Sequence, residues 1–261
     1  MTAKNFVRNV ARKFGYTIQL SGRPIYADQT QFERSVAVVR GATMLPHERM
    51  VSLYDQVSYC DRIGLAGALV ECGVWKGGAV GLMALATMAH GGSPRDLHLF
   101  DSFTDICPPD PAVDGDRAIQ ESGGRATADA QAPQPMEGFY DSVGGHGTRA
   151  DCERLIEGTI GYPSAAVHYH QGWFQDTVPE TAKSIGPVAV LRLDGDWYAS
   201  TMICLEHLYA NVVEGGIVIL DDYGTYDGCR RAVDEFLATR GIDVFLNRVD
   251  AGCYYFVKPA N

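Results

Sequence analysis

From Leu65 onward, short apolar runs alternate with stretches whose apolar positions recur every three or four residues. This is the pattern of strands and helices in an α/β fold with a largely parallel sheet. Strands are predicted over 67–71, 97–101, 166–170, 188–194 and 217–221, with a C-terminal pair over 244–249 and 253–257. Helices are predicted from the Gly77-Gly78 turn through Met88, from Ser200-Thr201 through Tyr209, and over 228–240 with Val233, Phe236 and Leu237 facing inward. Asp250-Ala251-Gly252 separates the last two strands and signals a tight turn, hence an antiparallel hairpin at the sheet edge.

Two segments break the alternation. Residues 1–60 read as a helical, partly irregular extension ahead of the first strand, leaving 61–261 as the main domain. Within the extension, 1–16 carries Lys4, Arg8, Arg12 and Lys13 without an acid, and spaces Phe6, Val7, Val10 and Phe14 near a helical period. An amphipathic helix packing on the domain or on a second subunit is expected there. Between 108 and 148 the chain is rich in Gly, Pro, Asp, Gln and Ala with no sustained period, and a loop of this length is read as a mobile lid near the active site, the alternative being a tolerated surface insertion.

Composition narrows the function classes. A length of 261 residues fits one large domain, and 46% hydrophobic residues exclude intrinsic disorder. The net charge of -10 argues against a nucleic-acid partner, which needs a broad positive face. No apolar run is long enough to span a bilayer. The seven cysteines are scattered singly with no C-x-x-C pair, so neither a zinc site nor a disulfide framework is expected, and a reducing cytoplasm is the expected compartment.

The chemistry gathers at predicted strand ends. The first strand runs into Glu71-Cys-Gly-Val-Trp-Lys-Gly-Gly-Ala79, whose glycines let the backbone approach a ligand while the following helix presents free N–H groups. The spacing of Gly73, Gly77 and Gly78 is compatible with an S-adenosylmethionine site, a dinucleotide site or a structural turn. Asp101 ends the second strand, where a carboxylate can accept both hydroxyls of a ribose or cap the following turn. Asp194 ends one later strand and Asp221-Asp222 the next. Carboxyl ends of neighbouring parallel strands lie side by side, so these three acids would repel one another unless a cation lay between them. All-oxygen ligation suits a hard divalent ion, with Mg²⁺ the first choice.

Asp196, just past the Gly195 turn, can point into the same pocket as a general base. His168 and His170 alternate on one strand and share a face, and His146 lies in the Gly144-Gly-His-Gly147 loop. His170 and His146 are the alternative bases.

The runs ECGVWKGGA, FDSF, QGWFQDTVP, VLRLDGDWYASTM, EGGIVILDDYG and CRRAVDEF, in this order from Glu71 onward, closely resemble the motifs of the macrocin O-methyltransferase family. That family includes sugar O-methyltransferases of tylosin, mycinamicin and novobiocin biosynthesis. The resemblance implies a class I S-adenosylmethionine-dependent methyltransferase: Rossmann-like, with a seven-stranded, mostly parallel sheet, an antiparallel C-terminal strand and an N-terminal helical extension. It implies Mg²⁺ support and a glycosylated small-molecule acceptor. By position, Asp194, Asp221 and Asp222 match the metal ligands and Asp196 the general base. Glu71, Gly73, Val74, Trp75, Lys76, Gly77, Gly78 and Ala79 match the part that holds the cofactor's methionine end, with Asp194 beside it. Asp101, Ser102 and Phe103 match the part near the ribose, and Gln171, Gly172, Trp173 and Phe174 a stretch beside the adenine.

The extension and the 108–148 loop match no motif; in such enzymes they shape the acceptor pocket and the subunit contacts of a homo-oligomer. Competing readings are a metal-dependent catechol-type O-methyltransferase, an NAD-type dehydrogenase and a non-catalytic nucleotide-binding module. The dehydrogenase leaves the Asp194, Asp221, Asp222 cluster unexplained, the module takes these acids as structural, and the LDGDWYAST run favours a sugar over a catechol acceptor.

Overall fold

A computed structural model describes residues 22–127 and 133–260. The amphipathic helix expected over 1–16 lies outside them. Two helices, α1 (Gln29–Val39) and α2 (His47–Arg62), precede strand β1 (Ala68–Cys72). Then follow α3 (Gly78–Ala89), β2 (Leu97–Asp101), α4 (Gly115–Glu121), α5 (Arg149–Glu153), β3 (Val167–Gln171), α6 (Phe174–Thr181) and β4 (Val188–Leu193). The chain ends with α7 (Tyr198–Leu208), β5 (Val212–Leu220), α8 (Asp227–Arg240), β6 (Asn247–Arg248) and β7 (Tyr254–Val257).

The seven strands form one sheet in the order β3-β2-β1-β4-β5-β7-β6. β1 to β5 are parallel, while β7 runs antiparallel to β5 and β6 antiparallel to β7. The central strands β1 and β4 are buried along their whole length because helices cover both faces, which is why they read as unbroken apolar runs. Alternation sorts the side chains. Leu69, Leu99, Val190 and Ile219 face a core shared with α1, α2 and α3, and Val70, Phe100, Leu191 and Leu220 face one shared with α6, α7 and α8.

The helices before residue 61 belong to the first of these cores. Phe32, Val39, Met50, Tyr54, Val57 and Cys60 are fully buried in it. Among the described residues, no helix is long and apolar enough to cross a membrane.

Three elements differ from the sequence expectation. β5 begins at Val212, ahead of the expected start at Ile217, and between its pairings with Val188 and Val190 it bulges through Gly215 and Gly216. α6 forms across Phe174–Thr181 despite Pro179 inside it. The penultimate strand shrinks to Asn247–Arg248.

Candidate active site

Strand β1 delivers the chain to Gly73, whose φ of 92° and position leave no room for a side chain: a Cβ would lie 1.8 Å from the carbonyl oxygen of Asp194. Only glycine lets the ends of β1 and β4 meet. Asp194 N–H donates to Cys72 O at 2.8 Å and Asp221 N–H to Leu193 O at 2.9 Å, fixing three successive strand ends in one line. Across the turn, Asp101 accepts from the backbone N–H groups of Val74 (2.6 Å), Trp75 (3.0 Å) and Phe103 (2.6 Å). Burial raises its pKa, against the pull of those three bonds. Asp101 therefore shapes the glycine turn, and a carboxylate oxygen with two lone pairs can still accept from a ribose hydroxyl. Trp75, Phe103 and Asp196 are the non-glycine residues with left-handed φ among those described, and all three stand at this site, where backbone strain concentrates.

The parity of the strands explains the charge cluster. Glu71 and Arg192 are register partners on β1 and β4, and both point to the α2 side. Arg192 is 2% exposed; its Nη1 donates to Glu71 Oε1 and to Asp194 Oδ2 at 2.7 Å, and its Nη2 faces Asp221 Oδ1 at 2.7 Å. From α2, Arg49 Nη1 donates to Asp221 Oδ2 at 2.5 Å, while Nε and Nη2 are held by Asp250 in the hairpin turn at 2.7 and 3.2 Å. Asp222 pairs with no guanidinium among the described residues. Burial and the charges of Asp196, Asp194 and Asp221 push its pKa well up. Asp196 is pushed up likewise by burial, Asp194 and Asp221. Burial raises Glu71 to about 8 against the opposing pull of Arg192.

The group fits a divalent cation. Asp194, Asp221 and Asp222 each offer an oxygen within 4.8 Å of the others. Buried Asp221 Oδ1 has no hydrogen bond, because Arg192 Nη2 approaches it out of line. The donor set is all oxygen, and five carboxyl groups (Glu71, Asp194, Asp196, Asp221, Asp222) crowd around one cavity with two arginines.

Two cavities meet here. The larger, about 490 Å³, runs from Asp101, Ser102, Gly172, Trp173 and Phe174 past Asp194 and Asp196 to Trp197, Tyr198 and Tyr226. The smaller, about 190 Å³, holds the three aspartates with Glu71, Val74, Ala79, Arg49 and Arg192. They share Met44, Gly73, Trp75, Asp194 and Asp196.

Not every expected residue lines them. Lys76 donates to Gly144 O at 2.8 Å and covers the Trp75 ring, Gly77 and Gly78 start α3, Phe103 anchors Asp101, and Gln171 pairs with Asp101 across β2 and β3. The alternative base His170 lies elsewhere: strand alternation puts it on the α6 face, stacked on Phe100 and within 3.0 Å of His98 Nδ1. Burial and His168 depress His170 to about 4. His146 is 41% exposed, with Nδ1 3.8 Å from Asp105, and lines neither cavity.

The described part of 108–148 covers the larger cavity with Pro108, Asp110, Asp114, Phe139 and Tyr140. It is stitched down at several points. Asp114 accepts from Tyr198 N–H, the first residue of α7, at 2.7 Å; Trp197 Nε1 donates to Cys107 O at 2.8 Å; Tyr226 OH donates to Glu121 at 2.6 Å. Asp105 accepts from the N–H groups of Gly138 and Tyr140, and Trp75 Nε1 donates to Gly145 O.

A family model for macrocin O-methyltransferases (TylF) matches residues 21–131 and 159–258, spanning the glycine turn and all four strand-end acids. The chain belongs to the macrocin O-methyltransferase family. Its sheet order and covered cavity are those of a class I S-adenosylmethionine-dependent O-methyltransferase of this family, and the dehydrogenase and non-catalytic readings fall away. The chain is 34% identical over 203 residues to the 8-demethyl-8-(2,3-dimethoxy-alpha-L-rhamnosyl)-tetracenomycin-C 4'-O-methyltransferase of Streptomyces olivaceus, covering 75% of this chain and 69% of that protein. It is 34% identical to the demethyldecarbamoylnovobiocin O-methyltransferase of Streptomyces niveus, covering 83% and 75%. The solved structure of the O-methyltransferase NovP matches with a TM-score of 0.68 at 31% identity, covering 84% of this chain and 83% of that one.

The residues missed by sequence reasoning are Arg49, Arg192 and the cover's Tyr140. Arg192 carried a signal, a charged residue inside the apolar run VAVLRL that must pair if buried. Arg49 carried none.

Proposed function

We propose that this macrocin-family enzyme transfers the methyl group of S-adenosylmethionine to a sugar hydroxyl of a glycosylated small molecule, with Mg²⁺ held by Asp194, Asp221 and Asp222. The supporting observation is the junction of the two cavities at Asp194 and Asp196, where a cofactor end, a cation and an acceptor can come together. When bound, S-adenosylmethionine supplies an electrophilic methyl group and Mg²⁺ supplies Lewis acidity beside the acceptor hydroxyl. Asp101 and Ser102 border the ribose end, Trp173 and Phe174 the adenine end, and the Gly73–Gly77 turn the methionine end. Asp196 takes the acceptor proton on its carboxylate. It lines both cavities, and a cation on the neighbouring aspartates would keep its carboxylate ionised, as a base requires.

The larger cavity favours a glycoside over a sugar nucleotide. Its described lining holds Asp101, Asp110, Asp114, Asp194, Asp196 and Glu206 but no Lys, Arg or His, so a diphosphate would find no cationic side chain to pair with. The aromatic walls of Phe139, Tyr140, Trp197, Tyr198 and Tyr226 suit a sugar ring and an apolar aglycone. The first 60 residues contribute Met44 and Arg49 to the walls, which supports a part for them in shaping the pocket. A cytoplasmic homo-oligomer completes the reading: all seven cysteines are free and six are buried, as suits a reducing compartment, and the pattern of 1–16 supports self-association.

The test is methyl transfer from labelled S-adenosylmethionine to a panel of glycosides, their sugar nucleotides and catechols, with Mg²⁺ and with EDTA. Transfer to a glycoside that stops in EDTA is expected. Turnover undiminished in EDTA removes the cation, and transfer to catechols alone removes the sugar.

A further inference from the structure

Of the three aspartates at the cation site, Asp221 is the most heavily engaged. Arg49 Nη1 holds its Oδ2 and also reaches its backbone carbonyl at 3.2 Å, while Arg192 Nη2 stands 2.7 Å from Oδ1. The two arginines are not equivalent. Arg192 is enclosed among Glu71, Asp194 and Asp221 on a central strand of the sheet and is 2% exposed. Arg49 arrives from outside the sheet, near the start of α2, and its other nitrogens rest on Asp250, which is 25% exposed. Both guanidiniums line the same small cavity as the three aspartates.

A divalent ion on Asp194, Asp221 and Asp222 would therefore share Asp221 with a positive charge. Two cations on one carboxylate stand within roughly 5 Å of each other, a distance at which repulsion exceeds thermal energy even with surface-like screening. Burial disfavours the charged form of Arg49, but the carboxylates Asp250 and Asp221 outweigh it, so the guanidinium cannot escape by losing its proton. We propose that Arg49 is a positioning residue that competes with the divalent cation for Asp221, so that its charge sets how tightly the ion is held. The inference rests on the cation reading of the three aspartates. It gives that site a weak, exchangeable ion, fitted to arrive and depart with an acceptor whose oxygens complete its coordination. It also ties the ion to α2, which carries Arg49, and to the β6-β7 turn, whose Asp250 holds that guanidinium.

The experiment measures Mn²⁺ binding to the full chain without cofactor or acceptor, by electron paramagnetic resonance and calorimetry. The variants are Arg49→Gln, Arg49→Lys, Asp250→Asn and, as a control on location, Asp222→Asn. Removing the competing charge in Arg49→Gln is expected to lower the Mn²⁺ Kd by about tenfold or more, whereas Arg49→Lys keeps the charge and stays within about threefold of wild type. Asp250→Asn keeps Arg49 but strips a compensating negative charge, so it is expected to move the Kd in the opposite direction, and it serves as an independent readout if Arg49→Gln does not fold.

Unchanged or weaker binding in Arg49→Gln, or equal tightening in the Gln and Lys variants, overturns the proposal. Mn²⁺ binding that Asp222→Asn leaves intact, or no binding in any variant, overturns the cation reading itself, and the control tells the two failures apart.

Discussion

The backbone N–H of Asp196 donates to Oδ2 of Asp222 at 3.2 Å, so the turn that carries the proposed base is held by an acid from the neighbouring strand end. Asp196 has a left-handed φ of 58°, which costs a non-glycine residue on the order of 1 kcal/mol or more. Its position thus depends on Asp222 as well as on Gly195. Replacing Asp196 by Asn keeps the turn and removes the base. Turnover is expected to fall by about 100-fold to 10,000-fold with S-adenosylhomocysteine affinity nearly unchanged. Wild-type turnover in this variant, measured beside calorimetric binding, would move the proton acceptor elsewhere.

Asp222→Asn and Asp221→Asn are expected to behave differently although both residues belong to the proposed cation site. Asp222 pairs with no guanidinium among the described residues, so its loss removes the ion and methyl transfer with little cost in stability. Asp221 neutralises parts of both Arg49 and Arg192. Taking away its charge leaves buried guanidinium under-compensated, at a cost of about 3–5 kcal/mol. Thermal melts in EDTA separate the two, and equal melting temperatures would mean that the arginine contacts carry no stability.

The strand-end acids were legible because each closes an apolar run: VLRL leads into Asp194 and IVIL into Asp221-Asp222, and in a parallel sheet such ends must be neighbours. The first half of β5 was hidden because Gly215-Gly216, a bulge in the strand, spells a turn in sequence. α6 was hidden by Pro179, which interrupts the helical signal without preventing the helix. Arg49 meets Asp221 across 172 residues of chain, and no local pattern encodes a contact of that span. Asp101 was read as a cofactor acid from its place at a strand end; its grip on three backbone amides depends on how the glycine turn folds back and could be seen only in three dimensions.

The raised carboxyl groups give a pH dependence with a definite sign. Asp196 and Asp222 have folded pKa values above the unfolded value near 3.9, so the folded, ion-free chain binds protons more tightly. Their contribution to stability is present below that value and is lost as pH rises through the folded pKa. Mg²⁺ relieves the repulsion but competes with those protons. The rise in melting temperature on adding Mg²⁺ is therefore expected to be larger near about pH 8 than near about pH 5. An increment independent of pH would place the ion away from these acids.

His98 and His170 carry the opposite sign. Burial with His168 and His170 depresses His98 to about 4, and burial with His168 does the same to His170, so the stability of this pair is present above the unfolded value near 6.5 and is lost as pH falls through about 4. His170→Phe removes one group that must charge on unfolding in acid. It is expected to flatten the acid limb of the stability profile while turnover stays within about threefold, since His170 lies on the α6 face and lines neither cavity. A loss of turnover beyond about 100-fold would restore His170 as a candidate base.

The cover is held over the larger cavity by Asp114, which accepts from Tyr198 N–H at 2.7 Å and from Asp110 N–H at 2.7 Å. Tyr198 opens α7, so the carboxylate satisfies a helix-start amide while it ties the cover to the wall of the larger cavity, the proposed acceptor chamber. Gly228, near the start of α8, makes room for this contact: a Cβ there would lie 1.9 Å from Asp114 Oδ1 and 2.9 Å from Tyr198 N. Gly228→Ala must displace Asp114 and so reproduces Asp114→Ala by a different route. Both variants are expected to lose about 1 kcal/mol of stability, a typical price for a lost cap. Both are also expected to raise the acceptor KM by about tenfold, because Asp110, Asp114 and Tyr198 line the chamber, while S-adenosylhomocysteine affinity stays within about threefold. The proposed adenosine end, bounded by Asp101, Gly172, Trp173 and Phe174, makes no bond to Asp114, so a matching loss of cofactor affinity would show that the cover serves the cofactor rather than the acceptor.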